Sequence, residues 1–505
     1  MLLGAGAVLV LASAAPLLAL LGELAATGPE ALRVLASSRP WMLLLRSLGL
    51  AAGTTLVAAM LGTPLGVVIA RFALPLRRAL WAVHAFPMFL PPFLLALGWF
   101  HLLGREGTLG SDATAAALFS PAGVVGVLAV TFAPIVTSLV AVGVLGVDAS
   151  LEDAARVVAS PWRVATRILV PAVRPALALA AIVVFALALS ELGVPMFLRV
   201  DVFPAAVFAR LGGVSYSPGE ASALVLPLVP VAIALLALER RLVGPRAIAV
   251  GGVRRMSASP MPLGRARTPV AVAAWVVGAL SAAPIAALLW SAAPALPRLG
   301  DWLGQAPLNS LLSSALAAVV IGVIGLVVGH ASARGLGGAR WLDGLAVLAF
   351  VTPAAALGVG LIAVWNRGTT AFVYGTTAIL VVGFVARYAV VGVRVSAVSV
   401  SQTPLHLEEA AASSGAGFVR RLVRIVLPVN ARGVGLAVLM ALVFSLRDLE
   451  TSVLFYPPGG EPMTVRIFTL EANGAPAVVA GLAVAHVALT AAVVAVGAVL
   501  LRRRA

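Results

Sequence analysis

EDAARVVASPWRVATRILVP, from Glu152 to Pro171, and EAAASSGAGFVRRLVRIVLP, from Glu409 to Pro428, are two versions of one segment. A shift of 257 residues places Glu152 on Glu409, Ala154 on Ala411, Ala155 on Ala412, Ala159 on Ala416, Arg163 on Arg420, Arg167 on Arg424, Ile168 on Ile425 and Pro171 on Pro428. These eight identities fall within twenty positions of polar sequence, where the chance likeness of low-complexity apolar helices does not reach. Upstream, a shift of 263 pairs Ser47 with Ser310, Gly62 with Gly325, Gly66 with Gly329, Ala70 with Ala333 and Arg71 with Arg334. The change of offset needs only one loop of different length. The chain is an internal duplication.

What is duplicated follows from composition. Of 505 residues, 61% are hydrophobic and 11% charged, and a bilayer-crossing helix needs about 20 mostly apolar residues. Hydropathy predicts twelve such spans, centred near residues 12, 57, 92, 134, 186, 230, 280, 320, 354, 382, 441 and 488. The first run, Leu2 to Leu21, lacks the basic leader of a signal peptide and is read as a retained helix. No polar stretch is long enough to bury a water-soluble core.

The stretch from Glu239 to Thr268, rich in Arg, Pro, Gly and Ser, divides the chain. The expected organisation is a first transmembrane half over residues 1–243, a linker over 244–268 and a second half over 269–505. Six spans per half give both halves the same orientation, so their symmetry axis runs along the membrane normal. Loops after even-numbered spans carry the arginines: Arg71, Arg77 and Arg78; Arg156, Arg163, Arg167 and Arg174; Arg240, Arg241, Arg246, Arg254, Arg255, Arg265 and Arg267. The series continues with Arg334, Arg340, Arg394, Arg420, Arg421, Arg424 and Arg432 and ends at Arg502, Arg503 and Arg504. The opposite loops carry few, such as Arg105, Arg298, Arg367 and Arg466, so the positive-inside rule places both termini in the cytoplasm.

Several functions are excluded by residue type. There is no cysteine, hence no disulfide framework and no thiolate metal site, and every one of the 35 basic residues is arginine. Without lysine there is no Walker A loop, so any ATP used must be bound by another chain. A net charge of +16 is not gathered on a basic face or in a binding module, which argues against nucleic acid. His84, His101, His330, His406 and His486 are scattered, and no His, Asp or Glu cluster has metal-ligand spacing.

The duplicated polar segments carry the functional signal. A Glu-Ala-Ala start places an acid near the positive end of a helix whose small side chains admit another surface. In the second copy Gly415 permits a sharp turn, and Pro428 marks entry to the next span. Such a segment is suited to docking, and the alternative is an interfacial amphipathic helix held by lipid phosphate.

Both segments resemble the EAA motif of importer-type ABC permeases. The second copy fits at Glu409, Ala410, Ala411, Gly415, Ile425, Leu427 and Pro428; in the first, Asp153 stands for the first alanine, Val158 for the glycine and Val170 for the leucine. The resemblance implies an all-helical type I importer fold of two parallel six-span repeats, in a bacterial inner membrane. It implies that each loop seats in one of two copies of a cytoplasmic ATPase subunit, which holds the ATP and Mg; this chain itself would be no enzyme and carry no cofactor. Glu152, Ala154, Ala155, Val158 and Pro171 in the first loop, and their second-loop equivalents, are the residues it assigns to coupling. An external substrate-binding protein is the further implied partner.

Charges inside predicted spans are costly and therefore informative. Glu191 falls in the fifth span and Arg447, Asp448 and Glu450 in the eleventh, with the 257 shift placing Glu191 on Asp448. The two acids are expected to face each other as part of the path or its gate, or else to form inter-helix salt bridges. The segments ALSELGVPMF and SLRDLETSVLFYPPGG resemble fused permeases of the ferric-iron group. That resemblance implies ferric iron as cargo, with thiamine, polyamines or an oxyanion as alternatives on the same plan. A major facilitator transporter would also have two six-span halves, but with its basic signature between spans two and three.

Overall fold

The computed structural model describes residues 1–212, 217–242 and 260–503. Linker residues 244–259, with Arg246, Arg254 and Arg255, lie outside the described residues, as does Arg504. Span 7 begins at Gly264–Ala266 and continues through Arg267–Ala292, slightly before the expected boundary at 269.

The described chain is helical, with eight helices long and apolar enough to cross a membrane and up to twelve crossings when each of four bent helix pairs is counted as one span. Spans 1, 2, 4 and 6 are Leu2–Thr27, Ser38–Arg71, Pro121–Leu145 and Pro218–Leu242; spans 7, 8, 10 and 12 are Gly264–Ala292, Ala306–Ala333, Ala378–Ser401 and Pro476–Arg502. The bent ones are span 3 (Arg77–Phe89 with Pro92–Leu103, 110°) and its repeat mate span 9 (Ala339–Val351 with Ala354–Trp365, 111°). Span 5 (Pro161–Ala172 with Arg174–Ser190, 63°) and its mate span 11 (Phe418–Val429 with Ala431–Leu446, 84°) are also broken.

The breaks have local causes. Leu90 precedes Pro91 and Thr352 precedes Pro353, and both pre-proline residues are extended, because the ring clashes with a helical neighbour and removes a donor. Spans 5 and 11 each carry a π-helical turn, Ala165–Leu169 and Leu422–Val426, just before Pro171 and Pro428. The wider turn is the usual answer to one residue too many in a helical ladder.

Within each half the tightest pairing is between spans 2 and 4, and between spans 8 and 10. It depends on small residues spaced four apart. A methyl on Gly62 or Gly66 would sit 2.7 Å from the carbonyl oxygen of Ala133 or Thr137; on Gly325 or Gly329 it would meet those of Gly392 and Val393 at 2.5 and 2.7 Å. Close backbone approach of this kind stands in for the hydrophobic drive that lipid removes.

Spans 1 and 7 cross over. Span 1 packs on the second limb of span 9, where Pro16 lies against Gly360, and span 7 packs on the second limb of span 3, where Pro284 lies against Gly98. Each half is therefore clasped by the peripheral helix of the other. Across the same boundary Arg394 of span 10 bridges Glu239 of span 6 at 3.2 Å, and within its own half it bridges Asp343 of span 9 at 2.8 Å.

Candidate functional site

The first duplicated loop begins as the helix Ala149–Val158, whose N-cap Asp148 accepts the Ser150 N–H at 2.9 Å. Glu152 points inward and is fully buried, with Oε2 3.0 Å from Arg71 Nε and Oε1 accepting a hydrogen bond from Arg156. Arg71, at the end of span 2, is 2% exposed and also donates to the Val144 carbonyl that ends span 4, at 3.1 Å. One carboxylate thus ties the loop to the ends of both tightly paired spans.

The second loop repeats the device with a different residue. Glu408, in the helix His406–Ser413, accepts from Arg334 Nε at 2.9 Å and lies 2.7 Å from His330 Nε2. Arg334 also donates to the Thr403 carbonyl at 3.0 Å. Burial alone would raise the Glu408 pKa, but the hydrogen bonds and charge of His330 and Arg334 hold it below the usual carboxylate range.

This corrects the alignment that set Glu152 on Glu409. Arg71 and Arg334 are equivalents, and their carboxylates are Glu152 and Glu408, a shift of 256 that also matches Leu151-Glu152-Asp153-Ala154-Ala155 with Leu407-Glu408-Glu409-Ala410-Ala411. The register returns to 257 after one extra residue. That residue is at Gly415, which turns the chain at φ +81°, whereas the first loop leaves its helix through an extended Ala159. Val158 therefore does not fill a glycine's place; the shorter loop has no such turn to make.

The correction divides the acids by exposure. Glu152 and Glu408 face the chain's own arginines, while Asp153, with 64% of its side chain exposed, and Glu409 face outward. Ala154 and Ala410 are exposed beside them, and Ala155 and Ala411 are half-buried. Val157 and Val158 are each 84% exposed on the first loop, and Leu405 and Leu407 stand out on the second. Pro171 is half-buried and Pro428 exposed, each in the short turn that follows its π-helical turn.

The second group of candidates lies where spans 5 and 11 end. Glu191, Arg447, Asp448 and Glu450 are all buried. Glu191 and Asp448 do the same local work: Glu191 accepts the Val194 N–H at 3.1 Å, and Asp448 accepts those of Thr451 and Ser452, both at 3.0 Å. They do not face each other as expected. Asp448 is held within its own half by Tyr388 Oη at 2.7 Å and Arg387 Nε at 3.6 Å. Glu191 instead meets Glu450 and Arg447 from the opposite half, and Arg447 donates to the Met88 carbonyl at the span 3 break. The contact between halves at this level is thus Glu191 and Met88 against Arg447 and Glu450.

Sequence reading missed the clamp residues Arg71, His330 and Arg334 as partners, and Tyr388 altogether. The Arg71–Arg334 match and the local LEDAA–LEEAA register contained the clue. Among the described residues no three His, Asp or Glu side chains gather as a metal site. The described side chains join each loop to helix ends and, at Glu191, Arg447 and Glu450, one half to the other.

No protein-family model matches the chain. Among curated proteins, it is 24% identical over 457 residues to the putative ferric transport system permease protein FbpB 1 of Haemophilus influenzae, covering 84% of this chain and 71% of that protein. It is 24% identical over 399 residues to the ferric transport system permease protein FbpB of Actinobacillus pleuropneumoniae, covering 73% of this chain and 57% of that one. Over 162 residues, 30% of this chain, it is 32% identical to the molybdenum transport system permease protein ModB of Azotobacter vinelandii, and covers 70% of it. With eight to twelve helices long and apolar enough to cross a membrane and transport permeases among its relatives, the chain belongs to the membrane permease family of ABC importers.

Proposed function

We propose that this chain forms the translocation path of an importer driven by a separate ATPase. Its halves, 1–243 and 269–505, rock about a shared axis when two ATPase copies, holding ATP and Mg, close on the two duplicated loops. An external binding protein hands over the cargo. Both termini lie in the cytoplasm of a bacterial cell, and the remaining partner is the inner-membrane bilayer; nucleic acid has no part.

The observation that carries this reading is the pairing of a buried clamp with an exposed contact face in each loop. Glu152 fixes the first loop to spans 2 and 4 through Arg71, so a force on Asp153, Val157 and Val158 moves those spans as one body. The same loop runs on through Pro171 into span 5, which ends at Glu191. In the second half Glu409, Ala410, Ala411 and Gly415 present the face, Glu408 holds it, and Pro428 leads into span 11 and Arg447. Each loop is then joined by one broken helix to the contact between halves, where Glu191, Arg447 and Glu450 act as gate and Asp448 as the rigid support beneath Arg447.

The cargo proposed is ferric iron, supported by the two ferric permeases that share most of this chain's length. The likeness to a molybdenum permease favours an oxyanion as the second reading.

The decisive test is Asp153→Asn with Glu409→Gln in the reconstituted complex. ATP hydrolysis should persist while uptake falls at least about tenfold, with unfolding temperature unchanged. Full uptake in the double variant would remove these acids from coupling. Uptake of labelled ferric iron, with molybdate as competitor, decides the cargo.

A further inference from the structure

We propose that spans 2 and 5 of the first half, with span 7, form a groove for an anionic phospholipid of the leaflet on their loop side, a groove whose counterpart on the second half is covered by span 1. A cavity of about 400 Å³ lies between spans 2, 5 and 7. Met60 and Pro64, Trp162 and Thr166, and Ala273 and Val277 line it, two from each span. The lining is apolar apart from Thr63, whose buried hydroxyl has no partner, and Thr166, whose hydroxyl is turned back to the Trp162 carbonyl at 2.8 Å. Met60 is eleven residues from Arg71, which ends span 2; at 1.5 Å per residue the groove reaches about 16 Å into the bilayer, half the hydrocarbon thickness. That is the depth of one acyl chain in one leaflet.

The mouth has the opposite character. Arg163 and Arg167 come from the first limb of span 5, and Arg265 and Arg267 from the start of span 7. All four are exposed and without a carboxylate partner among the described residues. Trp162, stacked on Phe72 at 5.2 Å, marks the level at which headgroups begin. Four unneutralised guanidinium groups on the helix segments that flank an apolar slot complement a phosphate on an acyl chain.

The second half supplies the control. The 263 shift carries Thr63 and Pro64 to Leu326 and Val327, which are 9% and 2% exposed in a cluster against which Leu2 and Ala5 of span 1 pack. The inference needs neither the cargo nor the ATPase.

The test is native mass spectrometry of the full chain released from bilayers of phosphatidylglycerol and phosphatidylcholine in equal parts. Wild-type protein should retain phosphatidylglycerol over phosphatidylcholine by about fivefold or more, the gain expected of even one well-placed arginine. Replacing Arg163, Arg167, Arg265 and Arg267 by Gln should abolish the preference. Ala273→Trp, which fills the slot and leaves every arginine in place, should lose one bound lipid. Retention of both lipids in the bulk ratio by wild-type protein would overturn the proposal, as would a preference that survives the arginine replacements. An unchanged lipid count in Ala273→Trp would place the bound lipid elsewhere and also defeat it.

Discussion

Glu152 and Glu408 hold equivalent loops to equivalent helix ends, but they do so in different surroundings. Glu152 is sealed between two arginines, with Arg71 2% exposed. Glu408 shares its charge between an arginine and a histidine, and the Arg334 side chain is 12% exposed. The first loop is short and leaves its helix extended; the second spends an extra residue on a glycine turn. The two repeats have therefore kept the bond between loop and helix end while its dielectric setting and the loop's outline diverge. The first clamp is all-or-none, because a buried charge that loses its partner is costly; the second is graded.

The sharpest way to break this comparison is to neutralise each clamp in turn. Glu152→Gln leaves Arg71 buried without a countercharge and should cost about 3–5 kcal/mol of stability. Glu408→Gln leaves Arg334 able to reach water and should cost about 1–3 kcal/mol, the range of a hydrogen bond to a charged group. Thermal unfolding in detergent measures both. Adding Arg71→Met to Glu152→Gln should recover much of the loss, since a buried pair replaced by apolar groups is often neutral. Equal losses in the two single variants would erase the distinction between the halves.

A smaller contrast separates the aligned acids of spans 5 and 11. Asp448→Asn removes the negative charge beside the buried Arg387 and disturbs four hydrogen bonds, from Tyr388, Thr451 twice and Ser452. A loss of about 2–4 kcal/mol is expected. Glu191→Gln keeps an oxygen for the Val194 N–H and lies beside another carboxyl, Glu450, so its cost should stay below about 1 kcal/mol. Its effect should appear instead as leak of solute through reconstituted permease without ATP. A tight Glu191→Gln permease would make this contact structural and not a gate.

How much of this was legible in sequence depends on which force decides each feature. The twelve centres were readable because hydrocarbon imposes one requirement on every crossing. The breaks at Leu90-Pro91 and Thr352-Pro353 were written in the sequence as pre-proline signals, yet hydropathy averages over them. The crossing-over of spans 1 and 7 was not legible: an apolar helix facing lipid or protein has the same composition, and only the fit of Pro16 on Gly360 and Pro284 on Gly98 distinguishes them. At the loops, five identities downstream of the turn outweighed the local LEDAA–LEEAA match, so a one-residue insertion at Gly415 shifted the acids by one place. Because helix faces rotate about 100° per residue, that single slip exchanged a buried acid for an exposed one.

The last and smallest effect uses pH to sharpen the graded clamp. Glu408 faces His330 and Arg334, and Phe418 covers the imidazole at 5.7 Å. Its carboxyl is held below the ordinary value, about 4.3 in an unfolded chain. A group with a depressed folded pKa stabilises fully above its unfolded pKa and loses that contribution as pH falls through the folded value. The stability gap between wild type and Glu408→Gln should therefore be flat above about pH 5 and shrink below about pH 4. Acid titrations of the two proteins in detergent, followed by intrinsic tryptophan fluorescence, read the gap directly. A gap that instead widens on acidification would mean that Glu408 is held protonated in the folded chain, and the clamp would then be a neutral hydrogen bond with no charge to transmit.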